Sequence, residues 1–252
     1  MVWKLHELKE IWNMRINWNY IKLTTLIISA TALYAFSNAR SSLREVSGID
    51  IAFVGSDNLY VTRSMVNKLL IQKYGSLINV PKEKLDLNTI EKVIETNEMV
   101  KIAQVYLTVN GELSSKIVQR QPIGRVEGNS KFYLDEEGKN MPLSDNHSAR
   151  VPIITGKITG KSLEDAYVIL RYINEDDFLR KNVIGIHIED EEKYQLRFRV
   201  ESFVVNLGSV VNLDKKFNNF KAFYAKAIRD KTLEDYQIVS LEFNNQVVCT
   251  KI

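Results

Sequence analysis

The 252-residue chain is 45% hydrophobic and 26% charged, the balance of folded globular material, and its net charge of +3 is too small to argue for a nucleic-acid surface. Its single cysteine, Cys249, excludes an internal disulfide and a cysteine-based metal site. That length suits a short tail with one or two folded domains, and neither repeats nor a low-complexity linker interrupt it.

The window from Ile16 to Ala39 holds Lys22 as its sole charge, and Leu23 to Phe36 holds none. At 1.5 Å per helical residue it reaches roughly 36 Å, enough to cross a bilayer core of about 30 Å, with Lys22 snorkelling near one end. Trp12, Trp18, Tyr20, Tyr34 and Phe36 stand where interfacial aromatics belong. Lys4, Lys9, Arg15 and Lys22 precede the apolar centre, against Arg40 and Arg44 beyond it, which favours an N-terminus held inside. A signal peptide cut near Ser37-Asn38-Ala39 and a buried helix of a soluble domain are the competing readings. The long N-terminal region with Glu7 and Glu10 argues against the first, and the lack of an equally apolar covering element against the second. The expectation is a tail over 1–17, a transmembrane helix over 18–39 and extracytoplasmic domains after it.

Ile49, Ile51 and Phe53 alternate as a strand up to the turn Gly55-Ser56-Asp57-Asn58. Thr62 is placed to cap a helix carrying Met65, Val66, Leu69 and Leu70, with Gly75 as its stop. A second helix is expected with Asn88 as cap, Glu91 at the capping-box position, and Ile90, Val93 and Ile94 inward. Val105, Leu107 and Val109 alternate into Asn110-Gly111, a two-residue hairpin signal, and a return strand runs from Leu113 to Arg120, ending at Pro122. Strand, helix, helix, strand, strand is a compact α+β unit with two helices on one face of a small sheet.

Beyond Pro122 the signals are mostly β. Lys131 to Leu134 and Val151 to Thr155 read as strands, with a turn at Asp135-Glu136-Glu137-Gly138. A helix is expected from Ser162, with Asp165 as its capping-box partner and Leu163, Ala166, Tyr167, Leu170 and Ile173 on one face. Three alternating runs then read as an antiparallel meander: Ile184, Ile186, Ile188; Tyr194, Leu196, Phe198, Val200; and Phe203, Val205, Leu207. A late helix carries Leu213, Phe217, Phe220, Tyr224 and Ala227 as a stripe, its lysines 215, 216, 221 and 226 reading as a solvated face. Ile238 to Phe243, the pair Asn244-Asn245, and Gln246 to Thr250 read as a final hairpin, one strand of which is an edge.

Catalytic and cofactor patterns do not assemble. Gly156-Lys157-Ile158-Thr159-Gly160-Lys161-Ser162 follows a strand and opens a helix, but a phosphate-cradling P-loop needs its first glycine where Thr155 stands. His6, His147 and His187 lie in three distant segments without metal-ligand spacing, and no G-x-S-x-G elbow occurs. No enzyme activity, cofactor, metal or small-molecule substrate is expected.

The order of tail, span, small α+β unit and β region resembles the FtsQ/DivIB family of bacterial cell-division proteins. Val118-Gln119-Arg120-Gln121-Pro122-Ile123-Gly124-Arg125 resembles the strand end leaving the family's POTRA domain. Tyr133-Leu134-Asp135-Glu136-Glu137-Gly138 with Met141-Pro142-Leu143-Ser144 is similar to the turn opening its β domain, and Val151-Pro152-Ile153-Ile154-Thr155-Gly156 to its hydrophobic-Pro-x-hydrophobic-x-Gly signature. Leu207-Gly208 and the run from Lys216 to Tyr224 extend the likeness towards the C-terminus. Two positions depart: Asn110-Gly111 stands where the family often has an aromatic-Pro pair, and Gln119 replaces a frequent glutamate.

The resemblance implies an α+β protein with a POTRA-type domain over 46–122 and a mostly antiparallel β domain with two helices over 123–252. It implies a non-enzymatic, single-pass scaffold of the divisome in the cytoplasmic (inner) membrane, its C-terminal domains periplasmic, at the division septum. It implies FtsB/DivIC-type and FtsL-type coiled-coil partners, with FtsK-type, FtsW-type and FtsI-type proteins reached through the complex. The partner-binding stretch it points to is Leu241, Phe243, Asn244, Asn245, Gln246, Val247, Val248, Cys249 and Thr250, where an extended partner segment would add a strand. The alternative is a POTRA-containing component of envelope assembly or secretion.

Overall fold

The computed structural model describes residues 18–42, 44–55, 59–243 and 246–252. The expected tail over 1–17, most of the turn after the first strand, and Asn244-Asn245 lie outside the described residues. Helix α1 (Trp18–Ser42) is exposed all round, with Leu26 67% and Phe36 65% accessible, so its apolar surface has no protein to bury it. The hydroxyls of Thr24, Thr25 and Thr31 donate to carbonyls one turn back, which satisfies them without water. From Trp18 to Arg40 this helix is long and apolar enough to cross a membrane.

The small unit contains β1 (Gly48–Val54), α2 (Arg63–Tyr74), α3 (Leu87–Glu95), β2 (Val100–Leu107) and β3 (Glu112–Gln119). Its sheet order is β1-β3-β2, with β1 parallel and β2 antiparallel to β3. Thr62 caps α2 by accepting from the Met65 N–H, and Gly75 ends it at φ 72°, as the sequence suggests. Helix α3 starts earlier than expected. Asp86, not Asn88, is its cap, because the Asp86 carboxylate accepts from both the N–H and the hydroxyl of Thr89. Glu91, freed from capping, reaches across to the sheet.

The β2–β3 connection is not a two-residue turn. Gly111 N–H returns to the Thr108 carbonyl and Gly111 alone in the loop takes positive φ, 85°, the pattern of a type I turn closed by a left-handed glycine. A Cβ there would sit 2.8 Å from the Glu45 carbonyl, so glycine also admits the chain that precedes β1.

The second sheet has nine strands in the order β12-β11-β10-β9-β8-β7-β4-β5-β6. These are β4 (Pro122–Glu127), β5 (Lys131–Asp135), β6 (Asn140–Met141), β7 (Ile153–Gly156), β8 (Val183–Asp190), β9 (Lys193–Phe198), β10 (Val204–Gly208), β11 (Tyr236–Ser240) and β12 (Val248–Lys251). The expected meander is β8-β9-β10, while β4-β7, β7-β8 and β10-β11 pair in parallel through crossovers. Strand β4 escaped the sequence reading because Pro122 suggests an end; proline stands instead at its first residue, where a ladder N–H can be spared.

Helices α4 (Gly160–Glu175), α5 (Asp177–Asn182) and α6 (Leu213–Asp230) cover one face of the large sheet. Tyr172 of α4 stacks on Phe217 of α6 at 4.8 Å between ring centroids. The α4 cap is Thr159, with Ser162 as its reciprocal partner, three residues before the expected start. Asp165, expected to cap, accepts from the Tyr194 hydroxyl at 2.8 Å, and burial together with that carboxylate pushes the phenol pKa up. The short α5 was not anticipated; Asp176 caps it by accepting from Phe178 and Leu179 and also binds Lys221 at 2.8 Å. The α6 lysines are therefore not one solvated face.

The opposite face of the large sheet is half-exposed over most strands, but at the β5–β6 end it meets the small unit. Tyr133 and Met141, 1% and 0% exposed, belong to the small unit's core, with Leu143, Ala149 and Val151 packed beside them. Asn146 and Ser144 donate to the Tyr60 carbonyl, Arg120 pairs with Asp135 at 2.6 Å, and Lys101 with Glu137 at 3.0 Å.

Candidate functional site

A β-sheet edge is a row of unpaired N–H and C=O groups, and this molecule handles its edges differently. Strand β6 is only two residues long and its Met141 is buried. On β2, the Glu91 carboxylate accepts from the Val105 N–H at 2.7 Å and the Glu95 carboxylate from the Ala103 N–H at 3.0 Å, so α3 plugs two outward donors. Strand β1 borders a shallow groove lined by its own Ile49, Asp50 and Ile51, by Arg63, Ser64 and Asn67 of α2, and by Ile78.

Strand β12 is the other terminal strand of the large sheet, and no strand pairs with its outer side among the described residues. Its inner side pairs with β11, Ser240 opposite Val248 and Ile238 opposite Thr250, and the Ile252 N–H donates to the Asp235 carbonyl. Since successive N–H groups of a strand point to opposite sides, those of Cys249 and Lys251 face outwards. Two donors and the intervening carbonyls therefore form a short template, suited to holding an extended chain.

The residues expected to bind a partner divide by position. Leu241 is 1% exposed in the large core, its N–H given to the Asn206 carbonyl. Val247 and Cys249 turn towards that core, and burial pushes the Cys249 thiol pKa up. Val248 and Thr250 lie on the other face, Val248 being 41% exposed. Phe243 is 51% exposed and Gln246 is exposed, while Asn244 and Asn245 are outside the described residues. The β11–β12 connection spans Leu241 to Val247, longer than the expected two-residue turn, and the Leu241 N–H carries the parallel ladder to β10 one residue beyond Ser240.

Sequence reading missed Lys251 and Tyr236, which frame the far end of the edge. Lys251 lies 3.6 Å from Asp235 and 5.9 Å above the Tyr236 ring, which in turn meets Phe223 of α6 edge-on at 5.3 Å. The alternation Tyr236, Ile238, Ser240 was the available signal for the earlier strand start. At the near end, Lys216 donates to the Leu207 and Ser209 carbonyls at 2.8 and 2.7 Å, where β10 stops; burial pulls its pKa down. The edge thus stands on a fixed base.

Elsewhere the groups examined for chemistry have structural partners. His187 Nδ1 bonds the Thr155 hydroxyl at 3.0 Å, and His147 meets Tyr60 edge-on at 5.6 Å. His6 lies outside the described residues. In the loop from Gly156 to Ser162, the Lys157 N–H donates to the Ile188 carbonyl, while Lys157 and Lys161 pair with Asp190 and Glu192. Among the described residues no three His, Cys, Asp or Glu side chains gather to hold a metal.

One apolar helix, a β-α-α-β-β unit and a nine-stranded sheet with a free terminal edge define an α+β protein of the membrane-anchored POTRA class. A POTRA-like domain model matches residues 47–118, and the model of the FtsQ/DivIB, C-terminal related domain matches residues 121–250, more than half of the chain. The chain belongs to the FtsQ/DivIB family, whose members are division-related scaffolds. No individual curated protein matches it.

Proposed function

We propose that this protein is a single-pass scaffold of the bacterial divisome that links division proteins at the septum and captures an FtsB/DivIC-type partner by strand addition to β12. Its N-terminus is cytoplasmic in this reading, its POTRA-type domain (46–122) and β domain (123–252) lie outside the cytoplasmic membrane, and an FtsL-type coiled coil enters with the captured partner. FtsK-type, FtsW-type and FtsI-type proteins join through the complex. The observation that carries the proposal is the pairing state of β12, one side hydrogen-bonded to β11 and the other without a strand among the described residues, at the end of the region matched by the family model. Val248 and Phe243 supply exposed apolar anchors beside the free ladder.

The test removes an outward donor. Cys249→Pro takes away one edge N–H while sparing the bonds to β11, and Cys249→Ala changes only the side chain. Loss of partner co-purification with the proline variant and retention with the alanine variant is the expected result; capture by both would overturn the β12 assignment. Midcell bands of a fluorescent fusion support the divisome role, and uniform envelope signal would count against it.

A further inference from the structure

The chain reaches the small unit at once after α1. One residue separates the end of α1 at Ser42 from Arg44, and two Cα–Cα steps extend to at most about 7 Å. Arg44 is then fixed in three directions. Its Nη1 donates to the Val109 carbonyl at 2.7 Å, its own carbonyl accepts from Lys82, and Glu45 bridges Pro81. Val46 exchanges bonds with Val80 and Asn79, and Ser47 donates to the Gly111 and Asn110 carbonyls. A single residue therefore joins α1 to a segment that is already bonded to the unit.

The polarity of the sheet then fixes which end faces the helix. Strands β1 and β3 run parallel and away from this point, and β2 returns to it. The β2–β3 hairpin tip, the segment from Ile78 to Lys84 and Arg44 therefore share one end. Among its exposed polar side chains that end presents two apolar ones: Val109 is 80% and Ile78 48% exposed. Helix α1, 25 residues or about 37 Å long, crosses a hydrocarbon core of about 30 Å with little to spare, so Ser42 lies at the depth of the headgroups.

We infer that this end of the POTRA-like unit is seated on the bilayer that α1 crosses, with Val109 and Ile78 inserted at the level of the lipid headgroups. Arg44, Lys82 and Lys84 are balanced there by Glu45, Glu83 and Glu112, so the contact draws on apolar insertion and the short tether rather than on anionic lipid. The seat holds whichever side of the membrane the unit occupies. It sets the height from which the remainder of the molecule is presented.

The experiment uses the full chain in phosphatidylcholine vesicles, with Cys249→Ser and a polarity-sensitive fluorophore at Val109→Cys or, at the opposite end where β2 begins, at the exposed Glu98→Cys. Co-flotation with the vesicles reports the span separately, so failure of the anchor and failure of the seat are distinct results. Insertion should blue-shift the probe at 109, and nitroxide lipids labelled near the headgroup should quench it, with the probe at 98 unchanged, equally in high salt or with phosphatidylglycerol present. Equal quenching at the two positions, or quenching at 109 that salt abolishes, would overturn the inference.

Discussion

The Gln119 side chain pairs with the backbone of Val61 in both senses: its Oε1 accepts from the Val61 N–H at 3.1 Å, and its Nε2 donates to the Val61 carbonyl at 3.0 Å. The same oxygen accepts from the Tyr60 N–H at 3.0 Å. An amide at the end of β3 thus holds the segment leading into α2, and Gln119 is only 2% exposed. This explains amide rather than carboxylate at the position. Gln119→Glu keeps the acceptor, loses the donor and leaves the Val61 carbonyl facing a buried charge, so it should cost about 3 kcal/mol. A fall of several degrees in Tm at neutral pH checks it, and Gln119→Glu should recover part of the loss as pH falls towards 4, since burial makes the acid protonate above the ordinary carboxylate range.

Glu137 sits in the β5–β6 turn between Lys139 at 2.9 Å and Lys101 of β2 at 3.0 Å. Hydrogen bonds from Lys139 and then Lys101 bring its carboxyl from the ordinary 4.5 down to about 2. A depressed folded pKa means the stabilisation is complete above the unfolded value and is lost as pH falls from about 4.5 to about 2. Melting curves across that window should show Glu137→Gln less pH-dependent than the parent. A parallel response of the two proteins would remove Glu137 from the acid sensitivity.

Met141 belongs by sequence to the large sheet and by packing to the small unit's core. Met141→Ala leaves a cavity there and should cost about 2–5 kcal/mol. Hydrogen exchange should accelerate at Leu113 and Ile117 of β3 as well as on β5. Exchange changes confined to β5 would show the two units to be independent.

Gly156 takes φ 103°, and a Cβ added there would lie 2.0 Å from the Ile188 carbonyl oxygen. Gly156→Ala should therefore prevent soluble expression, because backbone stands in the way on the adjacent strand. Gly160, four residues on, has open space around its Cβ position and sits at the start of α4, so Gly160→Ala should be neutral or slightly stabilising. Soluble yield of the two variants, with a thermal melt of Gly160→Ala, separates a sheet-packing glycine from a glycine-rich loop.

Local signals found what is decided locally. Thr62 and Gly75 bound α2 because a cap and a left-handed stop need only a few neighbouring residues. The same reasoning misplaced two caps, since Asn88 and Ser162 are acceptable cap residues and nothing local ranks Asp86 or Thr159 above them. Glu91 and Asp165 settle the matter from a distance: each has a better partner on a strand, Val105 and Tyr194. Leu241 shows the same limit at the candidate site. Alternation places it in the last hairpin, but it is 1% exposed in the large core and its N–H goes to β10, a pairing that no local pattern announces.

Composition and period alone determined that one apolar helix precedes an α+β chain and that the final strands lie at the end of a sheet, because burial demand is written into the spacing of apolar residues. That β12 is a terminal strand was decided only in three dimensions. Pairing is a property of two strands, so the parallel crossover that sets β11 against β10 leaves β12 outermost, and the carboxylates that plug β2 come from a helix whose docking no local pattern specifies.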